Sequence, residues 1–295
     1  MPIVQEFAYH KPDTLAEALE LLAKYHAAGR ILAGGTDLVN FLKEDLVAAQ
    51  AVIDIKGLAE LSHIEFHDNV LKIGALVTFT DLIESAIIRR HFPLLRETAQ
   101  AVASVGIRNR ATMVGNLCSA VPSLDSAPAL LVYDAEVTVR SKQGTRRIPI
   151  QKWFVAPKKS ALAADEIAVA ITVPLPERKH AGCYLKLGRY RGEDLAQAGT
   201  GILAFENQQY RIAFCAVGPT PTRAHRLEAL LNGKPLTDDL ICQVKEAAAA
   251  EIAPITDIRA SQEYRTHIIK VMLERGLKAA VAGLHGHQHA NLLGG

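Results

Sequence analysis

The chain lacks most of the features that mark a specialised protein class. Four cysteines occur in 295 residues (Cys118, Cys183, Cys215 and Cys242), far apart and with no CxxC pair. Such dispersed thiols neither frame a disulfide-stapled fold nor supply the clustered ligands of a usual iron–sulfur site. The opening MPIVQEFAYHKPDT has no basic start followed by an apolar core. No secretory leader is therefore expected, and the cysteines read as reduced thiols of a cytoplasmic protein. Charge of one sign is also lacking, because 33 Lys and Arg stand against 31 Asp and Glu, a net charge of +2. That balance excludes the focused basic excess of a nucleic-acid binder. Aromatic residues make up only 5%, which leaves few platforms for base stacking. No apolar run approaches the roughly 18 residues of a membrane helix. HExxH and G-x-S-x-G are absent, which removes the commonest zinc and hydrolase sites.

What remains is an ordinary globular composition, 49% hydrophobic and 22% charged. At about 150 residues per domain the length implies roughly two domains. A chain of this size buries about three quarters of its unfolded surface, so its core needs no disulfide or metal. Thr14 with Glu17 is a capping box, and Leu15, Ala18, Leu19 and Leu22 share one helical face. Arg30–Ala33 and Ala51–Ile55 read as buried strands around a short helix capped by Thr36 or Asp37, a small parallel β-α-β unit. Val70–Gly74 is a strand, Thr80 caps a helix through Ile88, and Pro93 opens another helix to about Ala103. Ala135–Arg140 and Thr145–Ile150 form a hairpin, and Ile167–Val173 is one more strand. Val173-Pro174-Leu175-Pro176-Glu177-Arg178 is the best domain boundary. Strands at 182–187, 200–206 and 210–217 and helices near 222–231, 238–251 and 261–281 follow, which gives a mixed α+β architecture.

Three segments carry candidate chemistry. In Ile31-Leu32-Ala33-Gly34-Gly35-Thr36-Asp37-Leu38 the paired glycines allow close backbone approach, and the N–H groups of the turn are free to bind a phosphate or pyrophosphate. From the local pattern alone, a plain strand-to-helix turn is the favoured reading. Thr112-Met113-Val114-Gly115-Asn116, followed by Leu117-Cys118-Ser119-Ala120-Val121-Pro122-Ser123-Leu124-Asp125, has no regular period. It reads either as a polar connecting loop or as donors for a polar cofactor, with Asp125 accepting from sugar hydroxyls and Arg108 and Arg110 neutralising phosphate. Lys186, late in a strand with Arg189, Arg191, Glu193 and Asp194 behind it, is either a solvated hairpin end or a cation beside an electron-accepting ring. Two other patterns are set aside. Gly199-Thr200-Gly201-Ile202-Leu203-Ala204 matches G-x-G-x-x-A but no helix follows it, and His285, His287 and His289 read as a tail rather than a metal site.

Taken in order, LAGGTDL, IRNRATMVGNLCSAVPSLDSAPALL, WFVAPKKSALAADEIAVAITVP and YLKLGRYRGEDLA resemble the FAD-binding subunit of molybdenum hydroxylases. That family includes the medium subunits of xanthine dehydrogenase, carbon monoxide dehydrogenase and 4-hydroxybenzoyl-CoA reductase. The resemblance spans nearly the whole chain. It implies an α+β fold with an FAD-binding domain of vanillyl-alcohol-oxidase type over residues 1–176, in subdomains of about 1–57 and 58–176. A smaller domain of CO dehydrogenase flavoprotein type would cover 177–285, with a tail at 286–295. By the same resemblance, residues 31–38 wrap the FAD pyrophosphate, Thr112–Asn116 make a second contact with it, and Asp125 lies toward the ribityl chain. Cys118 packs near the flavin, Ala168 lines its ring, Lys186 meets its pyrimidine edge, and Val102 belongs to the same cofactor-binding set. One departure is Val114, which stands where the family usually has the first of two glycines before the Asn. The cysteine-rich insertion of 4-hydroxybenzoyl-CoA reductases has no counterpart.

The implied function is electron transfer without a general acid or base on this chain. A large partner subunit would carry the molybdenum cofactor, a small one two 2Fe–2S clusters, and the FAD held here would pass electrons to NAD or another acceptor. The alternatives are a free-standing FAD oxidoreductase and a docking subunit that has lost flavin.

Overall fold

A computed structural model describes residues 3–190 and 194–286. Its N-terminal layer is a three-stranded parallel sheet. β1 (Ala8–His10), α1 (Leu15–Tyr25), β2 (Gly29–Leu32), α2 (Leu38–Lys43) and β3 (Ala51–Asp54) follow in sequence, and the strands lie in the order β1-β3-β2. The parallel β2-α2-β3 unit is the one expected. The expected capping box is offset: the Thr14 hydroxyl accepts from the Glu17 N–H at 3.2 Å, but the Glu17 carboxylate accepts from Asp13.

The second layer begins with β4 (Ile64–His67) and β5 (Val70–Gly74). Six helices follow: α3 (Phe79–Glu84), α4 (Ala86–His91), α5 (Pro93–Ala101), α6 (Val105–Arg108), α7 (Met113–Ser119) and α8 (Ser126–Val132). The hairpin β6 (Glu136–Ser141) and β7 (Gly144–Pro149) comes next, then the short pair β8 (Phe154–Ala156) and β9 (Lys159–Ser160), then β10 (Ile167–Pro174). The large sheet is antiparallel, in the order β4-β5-β10-β6-β7.

Two expectations are corrected here. The helix expected from Thr80 is a pair, α3 capped by Thr78 in a full capping box with Asp81, and α4 capped by Ser85. The irregular segment expected after Thr112 is helical, because Thr112 caps α7 by accepting from the Gly115 N–H at 3.1 Å. α8, buried at every residue, has no apolar stripe from which a helical period could be read.

The C-terminal part is an antiparallel sheet of β11 (His180–Leu187), β12 (Ala198–Phe205), β13 (Tyr210–Cys215) and β14 (Thr222–Arg223), in sequence order. α9 (His225–Leu231), α10 (Asp238–Ala247) and α11 (Gln262–Leu284) form the second core with residues such as Ile202, Ile212 and Phe214. Tyr184, Leu203, Phe205 and Ala213 of the sheet instead join the first core, with Leu94 of α5 and Leu130 of α8. Covered on both faces, β12 is buried along its whole length, and its sequence AGTGILAF accordingly shows no polar alternation. The G-x-G-x-x-A match lies inside β12 and opens no helix.

Candidate cofactor site

The loop after β2 and the start of α7 face each other across a cavity of about 980 Å³ between the first two layers. Cofactor sites usually span roughly 300–1,000 Å³. The β2–α2 loop passes so close to the chain before α7 that a β-carbon on Gly34 would lie 2.1 Å from the Arg110 carbonyl oxygen. Gly35 turns the chain with φ +79°, a conformation that side chains disfavour. From Gly34 to Leu38 no backbone N–H has a hydrogen-bond acceptor among the described residues. A run of exposed donors on a cavity wall suits an anionic ligand.

Opposite this loop, the cap residue Thr112 and Val114, Gly115, Asn116, Cys118 and Ser119 of α7 line the cavity wall. The Asn116 side-chain oxygen Oδ1 accepts from the Ser126 hydroxyl at 2.7 Å, which leaves its side-chain NH2 as a donor. The Ser119 hydroxyl donates to the Asn116 backbone carbonyl at 2.7 Å within α7. Desolvation at the cavity wall raises the Asp37 pKa. Burial pushes the Cys118 thiol up to about 12, so it is a neutral packing group. Ala168 reaches the wall beside a register shift between β10 and β6 at Ala168/Ala170, and such bulges re-aim side chains near functional sites.

Fifteen of the seventeen residues expected to touch the cofactor line this one cavity: Ile31, Ala33, Gly34, Gly35, Thr36, Asp37, Leu38, Val102, Thr112, Val114, Gly115, Asn116, Cys118, Asp125 and Ala168. Two do not. Side chains alternate along a strand, so with Ile31 and Ala33 facing the cavity Leu32 faces away, into a small cluster with Leu42, Ala49 and Val52. The Lys186 ammonium is engaged behind the wall, donating to Asp125 Oδ2 and to the Ala101 carbonyl, each at 2.9 Å.

The expectation for Arg108 and Arg110 is also corrected, since neither lines the cavity. The Arg108 guanidinium is occupied by the carbonyls of Val102 and Ala103 at 2.8 and 2.5 Å, where it shapes the wall instead of meeting a phosphate. Arg30 and Lys158 line the cavity unanticipated. Lys158 sits at the β8–β9 turn with φ +59°, and its N–H donates to the Ala120 carbonyl at 2.9 Å. A turn is readable from Ala-Pro-Lys-Lys, but nothing local shows that it folds onto α7. Asp194 lines the cavity, whereas Arg191, Glu193, His287 and His289 lie outside the described residues.

This geometry agrees with comparison to known proteins. Residues 5–176 match the FAD binding domain in molybdopterin dehydrogenase, and residues 183–280 match the CO dehydrogenase flavoprotein C-terminal domain. The chain belongs to the FAD-binding subunits of the xanthine and carbon monoxide dehydrogenase type, which are subunits of oxidoreductases. It is 36% identical to the xanthine dehydrogenase FAD-binding subunit of Escherichia coli O157:H7, over 95% of this chain and 97% of that one. It is 31% identical to the carbon monoxide dehydrogenase medium chain of Hydrogenophaga pseudoflava, over 95% and 99%. A solved structure of carbon monoxide dehydrogenase from that organism superposes with a TM-score of 0.90 at 32% identity, covering 94% of this chain and 98% of that one. Quinoline 2-oxidoreductase from Pseudomonas putida 86 also gives 0.90, at 25% identity over 96% and 99%. No helix among the described residues is long and apolar enough to cross a membrane.

Proposed function

We propose that the cavity holds FAD and that the chain relays electrons within a molybdenum hydroxylase. In this reading residues 1–176 form the cofactor domain and 177–285 a second domain that closes it. The molybdenum cofactor sits on a large partner subunit, and a small partner delivers electrons from two 2Fe–2S clusters. The final acceptor is NAD or another oxidant. The observation that carries the cofactor assignment is the run of unpartnered N–H groups from Gly34 to Leu38 on the wall facing Thr112–Asn116. These donors would hold the pyrophosphate, with Arg30 and Lys158 as nearby cations.

When bound, FAD supplies a two-electron store that can be filled one electron at a time. The chain's own part is to bind, orient and shield. Asp125 offers a fixed acceptor, Ala168 and Val102 supply small apolar walls, and Cys118 stays neutral. Nothing in these roles needs a proton donor on the chain. The test is a visible spectrum of the purified chain, then acid release and mass analysis of the chromophore. Non-covalent FAD is expected. A folded protein that stays colourless with added FAD would leave only a docking role. Co-purification with a molybdenum subunit and an iron–sulfur subunit, and flavin reduction only in their presence, would separate an electron relay from a free-standing oxidoreductase.

A further inference from the structure

Asp125, at the start of α8, is anchored from the C-terminal sheet. The buried Tyr184 donates its hydroxyl to Asp125 Oδ1 at 2.7 Å, and Lys186 donates to Oδ2 at 2.9 Å. Both donors stand on β11 two residues apart, so their side chains leave the same face of the strand. The Tyr184 hydroxyl sits in a socket of its own. Cys215 Sγ on β13 lies 3.5 Å away, and Gly199 on β12 leaves the space between them open. A β-carbon on Gly199 would lie 2.7 Å from the hydroxyl and 2.4 Å from the sulfur. Three neighbouring strands thus combine to place one phenol, although Tyr184 itself does not line the cavity.

We infer that Tyr184 is a positioning residue for the cofactor, acting through Asp125 by fixing how its carboxylate faces the cavity. The inference rests on reading the cavity as the FAD site. Without the phenol, only Lys186 among the described residues restrains the carboxylate, through Oδ2, and Oδ1 is free to turn. With both oxygens anchored, the remaining lone pairs point one way before any ligand arrives, so binding a sugar hydroxyl costs less ordering. The charged partner makes the phenol bond stronger than an ordinary one.

The experiment compares FAD affinity, from quenching of flavin fluorescence, in the full-length wild-type chain, Tyr184→Phe, Asp125→Asn and the double variant between pH 5 and 8. Thermal melts establish first that each is folded. Tyr184→Phe should weaken FAD about tenfold in the wild-type background and have no further effect beside Asp125→Asn. The groups facing Asp125 are Tyr184 and Lys186 on β11, with Cys215 on β13 behind the phenol. Losing the phenol removes a donor to the charged carboxylate, so the fall in affinity on acidification should begin at higher pH in Tyr184→Phe and vanish in Asp125→Asn.

Equal weakening in both backgrounds with an unmoved acid limb would overturn the inference and leave Tyr184 a packing residue. If Tyr184→Phe does not fold, Gly199→Ala, which crowds the same hydroxyl, carries the same readouts. Gly34→Ala serves as the reference. Should it and Asp125→Asn both bind FAD as the wild type does, the cavity assignment falls and the inference with it. An unimpaired Tyr184→Phe beside impaired reference variants overturns the inference alone.

Discussion

At the scale of single residues, two positions separate binding from stability. Gly34 is the point where the two halves of the cradle touch, since an added β-carbon meets the Arg110 backbone at 2.1 Å. At Gly35 the obstacle is different, a φ of +79° together with the Leu32 side chain 2.9 Å from an added β-carbon. Gly34→Ala should therefore push the β2–α2 loop off the chain before α7 and weaken FAD by about tenfold or more, roughly 1.4 kcal/mol. A flavin titration of the refolded variant checks this. Lys186→Ala acts on stability, because it leaves the buried Asp125 carboxylate without its cation, a loss of about 3–5 kcal/mol. Burial already raises the Asp125 pKa, and Lys186 opposes that rise, so its removal moves the folded-state pKa further up. A group whose pKa is raised by folding favours the fold at low pH and costs stability as pH rises. The gap in melting temperature between Lys186→Ala and wild type should widen from about pH 4 toward neutrality. A constant gap would mean that the pair contributes nothing through charge.

At the scale of elements, the short helices decide where the site residues fall. Val114 departs from the double-glycine pattern, yet as the second residue of α7 it is buried in the main core with Leu117 and Trp153. Val114→Gly removes that contact and adds a flexible residue to a two-turn helix. It should cost about 2–4 kcal/mol without tightening FAD, measured by urea unfolding beside flavin titration. A variant of unchanged stability that binds FAD more tightly would restore the view that the Val114 side chain holds the pyrophosphate off. Much of this architecture was legible: strands at 30–33, 51–55, 70–74 and 167–173 and the long C-terminal helices carry strong local patterns. α7 and α8 were not, because seven residues hold too few turns for a period and α8 is apolar on all sides. The gathering of residues 31–38, 112–116 and 125 into one place was legible only through the ordered resemblance, since each segment alone also fits a plain turn. The occupied state of Lys186 was not legible, because its partners Ala101 and Asp125 lie 85 and 61 residues away.

At the scale of the whole molecule, the C-terminal sheet is a wall of the first core as much as the base of the second. β11 is the edge strand of that sheet, and α5 packs against it. Lys186 donates from it to the Ala101 carbonyl at the end of α5, and the Tyr184 backbone N–H favours the charged form of the Glu97 carboxylate on α5. A helix packed against an edge strand blunts its tendency to recruit foreign strands. The arrangement half-buries a carboxylate in the seam. Desolvation raises the Glu97 pKa to about 7 against the opposing pull of the Tyr184 N–H, and the charge of Glu97 in turn raises the pKa of Tyr133 and Cys183. The Tyr133 hydroxyl is itself buried without a partner. The stability that protonated Glu97 lends is complete below about pH 4.5, the value of an ordinary glutamate, and is lost as pH rises through about 7. Glu97→Gln keeps the shape of the side chain and carries no charge at any pH. Its urea midpoint should match the wild type near pH 5 and exceed it at pH 8.5. Parallel pH profiles for the two proteins would show instead that Glu97 titrates as an exposed group and that the seam is open to water.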